Sequence, residues 1–288
     1  MRLEIPSMLV ALVAGAAAAR PGTAVSTPRL GRHAPALPPP VVTITAREYA
    51  FDGPDSIKSG PTTFRLVSAG REQHFLALVR ITGSHTLADY RGILTSKRTA
   101  SWAIPAGGVG TIAPGSTEMT PLDLEPGLYA MVCDMQDAHG TPHMLEGMLR
   151  SLTVSARRNG ASMPKPDLTV DLMEFAFLGR DTLQPGLRII GVRNVGSQPH
   201  MALVWRLAPG MSVRAVTHWL DTPSDRSHPI TLVGGTPDLA PGQEARVMVH
   251  LEVGHYLLIC LVEDPHDHKA HYDKGMVKEF AVRSATGR

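Results

Sequence analysis

The sequence predicts an all-β protein in which two β-sandwiches follow one another, each interrupted by one short helix. Two observations support this prediction. An internal repeat divides most of the 288 residues into two similar copies. Each copy consists of short apolar or β-branched runs separated by Gly, Pro and Asn, which is typical of sandwich strands and their turns. Hydrophobic residues make up 43% of the chain, enough to fill two cores.

The repeat has a nearly constant offset. Glu48 and Glu174 are 126 positions apart, whereas Cys133 and Cys260 are 127 apart. Other matching pairs are Phe51 with Phe177, Gly60 with Gly186, Gly70 with Gly196, His74 with His200, His143 with His271, and Met148 with Met276. The slow drift indicates single-residue insertions in loops, and the period is too long for a solenoid. The chain is therefore predicted to contain a duplicated domain.

We place the two domains at residues 41–155 and 167–284, joined by a linker at 156–166. Each domain begins with an alternating, β-branched run, 41–45 in the first and 168–172 in the second. Such alternation is typical of a strand with one buried face.

Longer apolar runs at 74–81 and 200–207 favour strands buried between two sheets. Residues 86–96 and 212–220 instead have helical spacing, and each segment begins with a Thr or Ser able to cap a helix. These segments are the inserted helices of the predicted fold.

The N-terminus resembles an export signal. Residues 1–19 combine a positively charged start with a short apolar run that ends in alanines, and 20–40 form a mobile spacer rich in Pro and Ala. We expect a periplasmic or secreted protein. No other stretch is apolar enough to cross a bilayer, so an integral membrane protein is not expected. The net charge of +2 is scattered, which argues against a nucleic-acid partner.

The two cysteines of the chain indicate its chemistry. Cys133 and Cys260 each follow an apolar strand, and each begins a stretch that ends in His-x-x-x-Gly-Met. A further His opens the long apolar run of each copy. Two imidazoles, one thiolate and a weak axial thioether form the ligand set of blue-copper electron-transfer sites. The predicted ligands are His74, Cys133, His143 and Met148 in the first copy and His200, Cys260, His271 and Met276 in the second.

Simpler interpretations remain open at this level. Free Cys is a common core residue, so the cysteines and methionines would then pack the sandwich and the histidines would be solvated. A Cys133–Cys260 disulfide is a further alternative in an oxidising compartment. His139, His266 and His268 are candidate alternative ligands or second-shell groups, or else exposed loop histidines.

The cysteine strands carry a family resemblance. Gly-Leu-Tyr-Ala-Met-Val-Cys133 and Gly-His-Tyr-Leu-Leu-Ile-Cys260 resemble the Gly-x-Tyr-x-x-x-Cys strand of plastocyanin-like cupredoxins. The resemblance implies Greek-key β-sandwiches, one type 1 copper in each, and the ligands given above. The Cys-to-His spacing is longer than in small blue copper proteins and resembles that of copper nitrite reductases. Phe75 and Met201 stand where the family often has an Asn that braces the site.

The resemblance implies an exported carrier of single electrons that binds up to two copper ions and has an unidentified redox partner. A metal-free binding or structural module is the alternative. A multicopper oxidase or nitrite reductase is a third hypothesis. Such enzymes need additional histidine-bound copper, typically with His beside the Cys, whereas Val132 and Ile259 precede the two cysteines here.

Overall fold

Two β-sandwiches account for nearly all regular structure in the computed structural model, which describes residues 37–96, 100–222 and 230–284. The predicted signal peptide and most of the predicted spacer lie outside the described residues. The last residues of that spacer, 37–40, are hydrogen bonded to the protein: the Leu37 carbonyl accepts from Ser162 and the Pro40 carbonyl accepts from Thr63. In the described part of the chain, no helix is both long and apolar enough to span a membrane.

The strands of the first half are β1 (Val41–Arg47), β2 (Ala50–Asp52), β3 (Ser56–Ser68), β4 (His74–Ile81), β5 (Ala103–Ile112), β6 (Thr117–Leu124), β7 (Gly127–Val132) and β8 (Leu149–Arg158). Those of the second half are β9 (Leu168–Met173), β10 (Ala176–Leu178), β11 (Thr182–Leu183), β12 (Gly186–Asn194), β13 (Leu203–Leu207), β14 (Ile230–Gly235), β15 (Glu244–Leu251), β16 (Gly254–Ile259) and β17 (Val277–Val282).

Both predicted helices are confirmed. They are α1 (Leu87–Thr95), capped by Thr86, and α3 (Val213–Asp221), capped by Ser212. The structure adds one short helical turn in each half where the sequence predicts only a loop: α2 (His143–Glu146) and a 3₁₀ turn (His271–Lys274). These turns are too short to produce a recognisable apolar period.

In the first half, one sheet has the order β2–β1–β3–β6 and the other has the order β3–β8–β7–β4–β5. Strand β3 belongs to both, because residues before Gly60 pair with β8 and later ones pair with β1 and β6. Gly60 has a φ of +97°. Only glycine adopts this backbone region without strain, which explains the repeated glycine at this change of sheet.

The second half repeats this arrangement with β10–β9–β12–β15 and β11–β17–β16–β13–β14. The short strand β11 takes the place of the first part of β3. Each half has a main hydrophobic core drawn from its own residues, centred on Phe64 and Tyr129 in one and on Tyr256 and Phe280 in the other. The all-β tandem sandwich predicted from the sequence is therefore confirmed.

The two halves meet along β6 and β15, which pair at Met119 and Met248. Their backbones also come close, since a Cβ added to Gly110 would lie 2.6 Å from the carbonyl carbon of Gly235. Glu118 is buried in this contact, and its Oε1 accepts a hydrogen bond of 2.9 Å from the Gly235 amide. Burial raises the pKa of the Glu118 carboxyl to about 8.

Candidate metal centres

Strand pairing brings the predicted ligands of each half together. His74 opens β4, and Cys133 follows the end of β7. These strands are antiparallel neighbours, with Ala77 opposite Val132, so the start of one lies beside the end of the other. In the second half, β13 and β16 pair in the same way, which brings His200 to Cys260.

The short helical turns return the chain to the cysteine. His143 opens α2, the Met148 amide donates to the His143 carbonyl (2.9 Å), and the Cys133 amide donates to the Met148 carbonyl (3.3 Å). Gly147 ends the turn with a φ of +133°. The second half repeats this arrangement: the Met276 amide donates to the His271 carbonyl, and the Cys260 amide donates to the Met276 carbonyl. Gly275 ends the turn.

Each half thus contains a buried cluster of two histidines and one cysteine, whose ligand atoms all lie within 4.8 Å of one another. In the second cluster the Nδ1 atoms of His200 and His271 are 3.0 Å apart, and Cys260 Sγ is 3.5 Å from His271 Nδ1. In the first, Cys133 Sγ is 3.7 Å from His143 Nδ1. Met148 and Met276 are fully buried in the same cores as the cysteines.

The sulfur atoms receive main-chain hydrogen bonds. Cys133 accepts from the amides of Phe75 and Met135, and Cys260 accepts at 3.5 Å from Met201. Phe75 and Met201, which stand where the family often has Asn, therefore contact the sulfur through their backbone amides. Burial nevertheless raises the pKa of both thiols to about 11, so the thiolate form requires a nearby cation.

The residues of both clusters fit a soft metal ion. Both ring nitrogens of the buried His74 lack a hydrogen-bond partner. The Nδ1 atoms of His143 and His271 face the cysteine sulfur of their own cluster. Burial lowers the pKa of His74, His200 and His271, which favours the neutral, ligating form. Neutral imidazoles, a thiolate and a thioether suit copper better than a hard cation.

A glutamate that the sequence analysis did not treat as functional lies beside the first histidine of each cluster. Oε1 of Glu48 is 3.8 Å from His74 Nε2, and Oε1 of Glu174 is 3.8 Å from His200 Nε2. The same oxygen of each glutamate accepts main-chain amides from the turn before that histidine. The repeated Glu-x-x-Phe motif, together with a repeated glycine in this turn, was the available signal.

The second histidine has different neighbours in the two halves. Glu72 Oε2 is 2.8 Å from His143 Nε2 in the first half, without hydrogen-bond alignment. The matching residue in the second half is Gln198. The ring of Tyr49 lies 4.8 Å from that of His143, whereas Phe175 occupies the matching position beside His271.

Other predicted residues lie away from the clusters. His139, His266 and His268 are exposed on the loops after the cysteines and belong to neither group, so a role for them in orienting the ligands stays a prediction. Cys133 and Cys260 are separate free thiols, which does not support the alternative of a disulfide between them.

No family model and no curated protein matches the chain. Among solved structures, auracyanin from Roseiflexus castenholzii is 18% identical over 41% of this chain and 98% of its own, with a TM-score of 0.30. Auracyanin A from Chloroflexus aurantiacus, described as a blue copper protein, is 19% identical over 41% and 99%, with a TM-score of 0.29. Copper nitrite reductase from Nitrosomonas europaea is 13% identical over 85% and 94%, with a TM-score of 0.26.

Scores of this size carry no argument about function, so the assignment rests on the strand order and side chains of the chain itself. Two sandwiches with matching topology each enclose one buried His, Cys and His group and one buried Met. The chain therefore folds as two tandem cupredoxin-like β-sandwiches, each with one such group.

Proposed function

We propose that this chain is an exported electron-transfer protein that holds one type 1-like copper ion in each of two domains, 41–155 and 167–284. The repeated buried cluster of two His and one Cys is the observation that supports this most strongly. The proposed ligands are His74, Cys133, His143 and Met148 in the first domain and His200, Cys260, His271 and Met276 in the second. Export is proposed from the N-terminal sequence alone.

Copper in such a ligand set exchanges one electron between Cu(II) and Cu(I). The role of the chain is to hold the donor atoms in one arrangement. Every proposed ligand is buried, with at most 1% of its surface exposed. In each half one main-chain hydrogen bond closes the turn from histidine to methionine, and a second joins the methionine carbonyl to the cysteine amide. A fixed donor set keeps reorganisation small when the electron arrives or leaves.

A copper titration of the mature protein, followed by visible absorption and metal analysis, tests the proposal. We expect an intense thiolate-to-copper band at about two copper ions per chain. Cys133→Ser and Cys260→Ser should each remove one ion and part of the colour, and the double variant should lose all colour. His250→Ala, an exposed histidine on β15 that belongs to neither cluster, is the control and should retain both ions.

Colour in the double variant would refute the ligand assignment. Absence of colour and of retained metal in the unmodified protein would favour the metal-free binding module. Steady nitrite reduction or phenol oxidation by the copper-loaded protein would show that the protein is an enzyme and would refute the role of electron carrier.

A further inference from the structure

We infer that the two copper centres have different reduction potentials, with the lower potential in the first half. The inference rests on the proposed function and on charged residues that differ between two otherwise matching sites. Glu72 lies 2.8 Å from His143 Nε2, whereas the neutral Gln198 stands at the matching position near His271.

A second substitution reverses a charge. By the alignment of the histidines and methionines, Glu146 of α2 matches Lys274 of the 3₁₀ turn. Loss of solvent and the charges of Glu72, Asp137 and Glu146 raise the pKa of Tyr49, the residue that packs on His143. All three carboxylates therefore act on the same edge of the first site.

The corresponding edge of the second site is less negative. Lys274 Nζ lies 4.8 Å from the centre of the Phe175 ring, which packs against His271. Its ammonium contacts Asp264, which matches Asp137 of the first half, and is 3.0 Å from Asp267. The first site thus has Glu72 and Glu146 where the second has Gln198 and Lys274.

This difference has a defined electrostatic effect. Reduction lowers the charge of a bound copper ion by one, so nearby negative charge stabilises the oxidised ion more than the reduced ion. A carboxylate against a ligating imidazole also increases the basicity of that ligand, which acts in the same direction. Electrons are therefore expected to move from the first site to the second at equilibrium.

Single-site proteins test the inference by spectroelectrochemical titration. Cys260→Ser retains the first site, and Cys133→Ser retains the second. We expect the first site to have the lower potential. Glu72→Gln in the first-site protein should raise the ratio of reduced to oxidised copper about tenfold at a given applied potential, or ~59 mV for one electron. Gln198→Glu in the second-site protein should shift its potential in the opposite direction.

Glu125→Gln is the matched control, because this exposed carboxylate precedes β7 at the end remote from Cys133 and should leave the potential unchanged. Equal potentials in the two single-site proteins would overturn the inference and leave the proposed function intact. So would a Glu72→Gln shift no larger than that of the control. Failure of both proteins to bind copper would overturn the inference together with the proposed function.

A separate observation, independent of copper, concerns the space between the halves. A cavity of about 650 Å³ is lined by residues of both, including Phe75, Tyr90, Trp205, Asp134 and Asp238. This volume and a mainly apolar lining with a few polar groups are typical of small-molecule sites at domain interfaces. Asp134 and Asp238 are both exposed residues.

We propose that this cavity binds an organic cation with an aromatic body. Aromatic side chains on the walls accommodate an apolar ring and attract a cation, and the two carboxylates supply opposite charge. Asp134 comes from the first half and Asp238 from the second, and both line this one cavity, so a bound ammonium can lie near a carboxylate of either half.

Calorimetric titration of the metal-free protein with phenethylamine and with 1-naphthylmethylamine tests this site. We expect saturable binding of at least one amine, about tenfold weaker binding of neutral phenethyl alcohol, and a tenfold loss of amine affinity in Asp238→Asn. Asp55→Asn, an exposed carboxylate outside the cavity, should bind the amine normally. Absence of saturable binding for both amines, or equal affinity in Asp238→Asn, would overturn the proposal.

Discussion

Replacing Glu118 by glutamine tests how the contact between the two halves depends on pH. Glu118 is 3% exposed, and its Oε1 accepts from the Gly235 amide at 2.9 Å while Oε2 has no hydrogen-bond partner. A glutamine can present its oxygen to the same amide. Its NH₂ group replaces an oxygen that is equally unpartnered, so the variant mainly removes the ability to ionise.

The size of the effect follows from the pKa. Burial raises the pKa of Glu118 from 4.5 to about 8, so the folded state holds a proton that the unfolded chain releases. Stability is then unaffected by this group below about pH 4.5, falls as pH rises towards 8, and is lowest above it. Between those limits the loss is on the order of 4–5 kcal/mol, from ~1.4 kcal/mol per pKa unit. This is a large share of an ordinary domain stability of roughly 5–15 kcal/mol.

Urea unfolding of the metal-free protein at pH 5 and pH 9 measures this term. At pH 5 we expect Glu118→Gln and the unmodified protein to have similar free energies of unfolding. At pH 9 the variant should be more stable by several kcal/mol. Glu244→Gln, an exposed carboxyl on β15, is the control and should follow the unmodified protein at both values. The reasoning would be refuted if the difference in free energy of unfolding between Glu118→Gln and the unmodified protein were the same at pH 5 and at pH 9.

Three other substitutions have defined outcomes. In Gly196→Ala the new Cβ would lie 2.7 Å from Glu174 Oε1 and 3.0 Å from His200 Nε2. We therefore expect the free energy of unfolding in urea to fall by about 1–3 kcal/mol and copper binding by the Cys133→Ser protein to weaken. Unchanged values would contradict this packing. Gly92 lies in α1 with open space around the position of a new Cβ, so Gly92→Ala should raise the free energy of unfolding by roughly 0.5–1 kcal/mol. A lower melting temperature of the variant would contradict this prediction. Tyr256→Phe removes two part-buried 2.9 Å hydrogen bonds of the phenol oxygen, one donated to the Glu252 carbonyl and one accepted from the Glu252 amide. We expect a loss of about 1–2 kcal/mol in a thermal melt with no change in colour, and an unchanged melt would contradict this.

The sequence alone determined the features that depend on local pattern and on repetition. Alternating and apolar runs predict strands because side chains alternate across a sheet, and Thr86 and Ser212 cap their helices as local hydrogen-bonding predicts. The repeat reveals the two clusters, since an isolated Cys or His has several ordinary explanations, whereas their joint recurrence has few. Glu48 and Glu174 were visible as a repeated motif, but nothing local indicated what they contact.

The tertiary structure decided the features that depend on distant segments coming together. The contact of Glu72 with His143 joins residues 71 positions apart. The replacement of this glutamate by Gln198 in the second half becomes informative only when the two sites are compared in space. The buried Glu118 and the cavity between the halves exist only because β6 and β15 meet. Sequence periodicity predicts which face of a strand is buried, but not which surface of the other half packs against it. The burial of Glu118 and the cavity both depend on how the two halves pack.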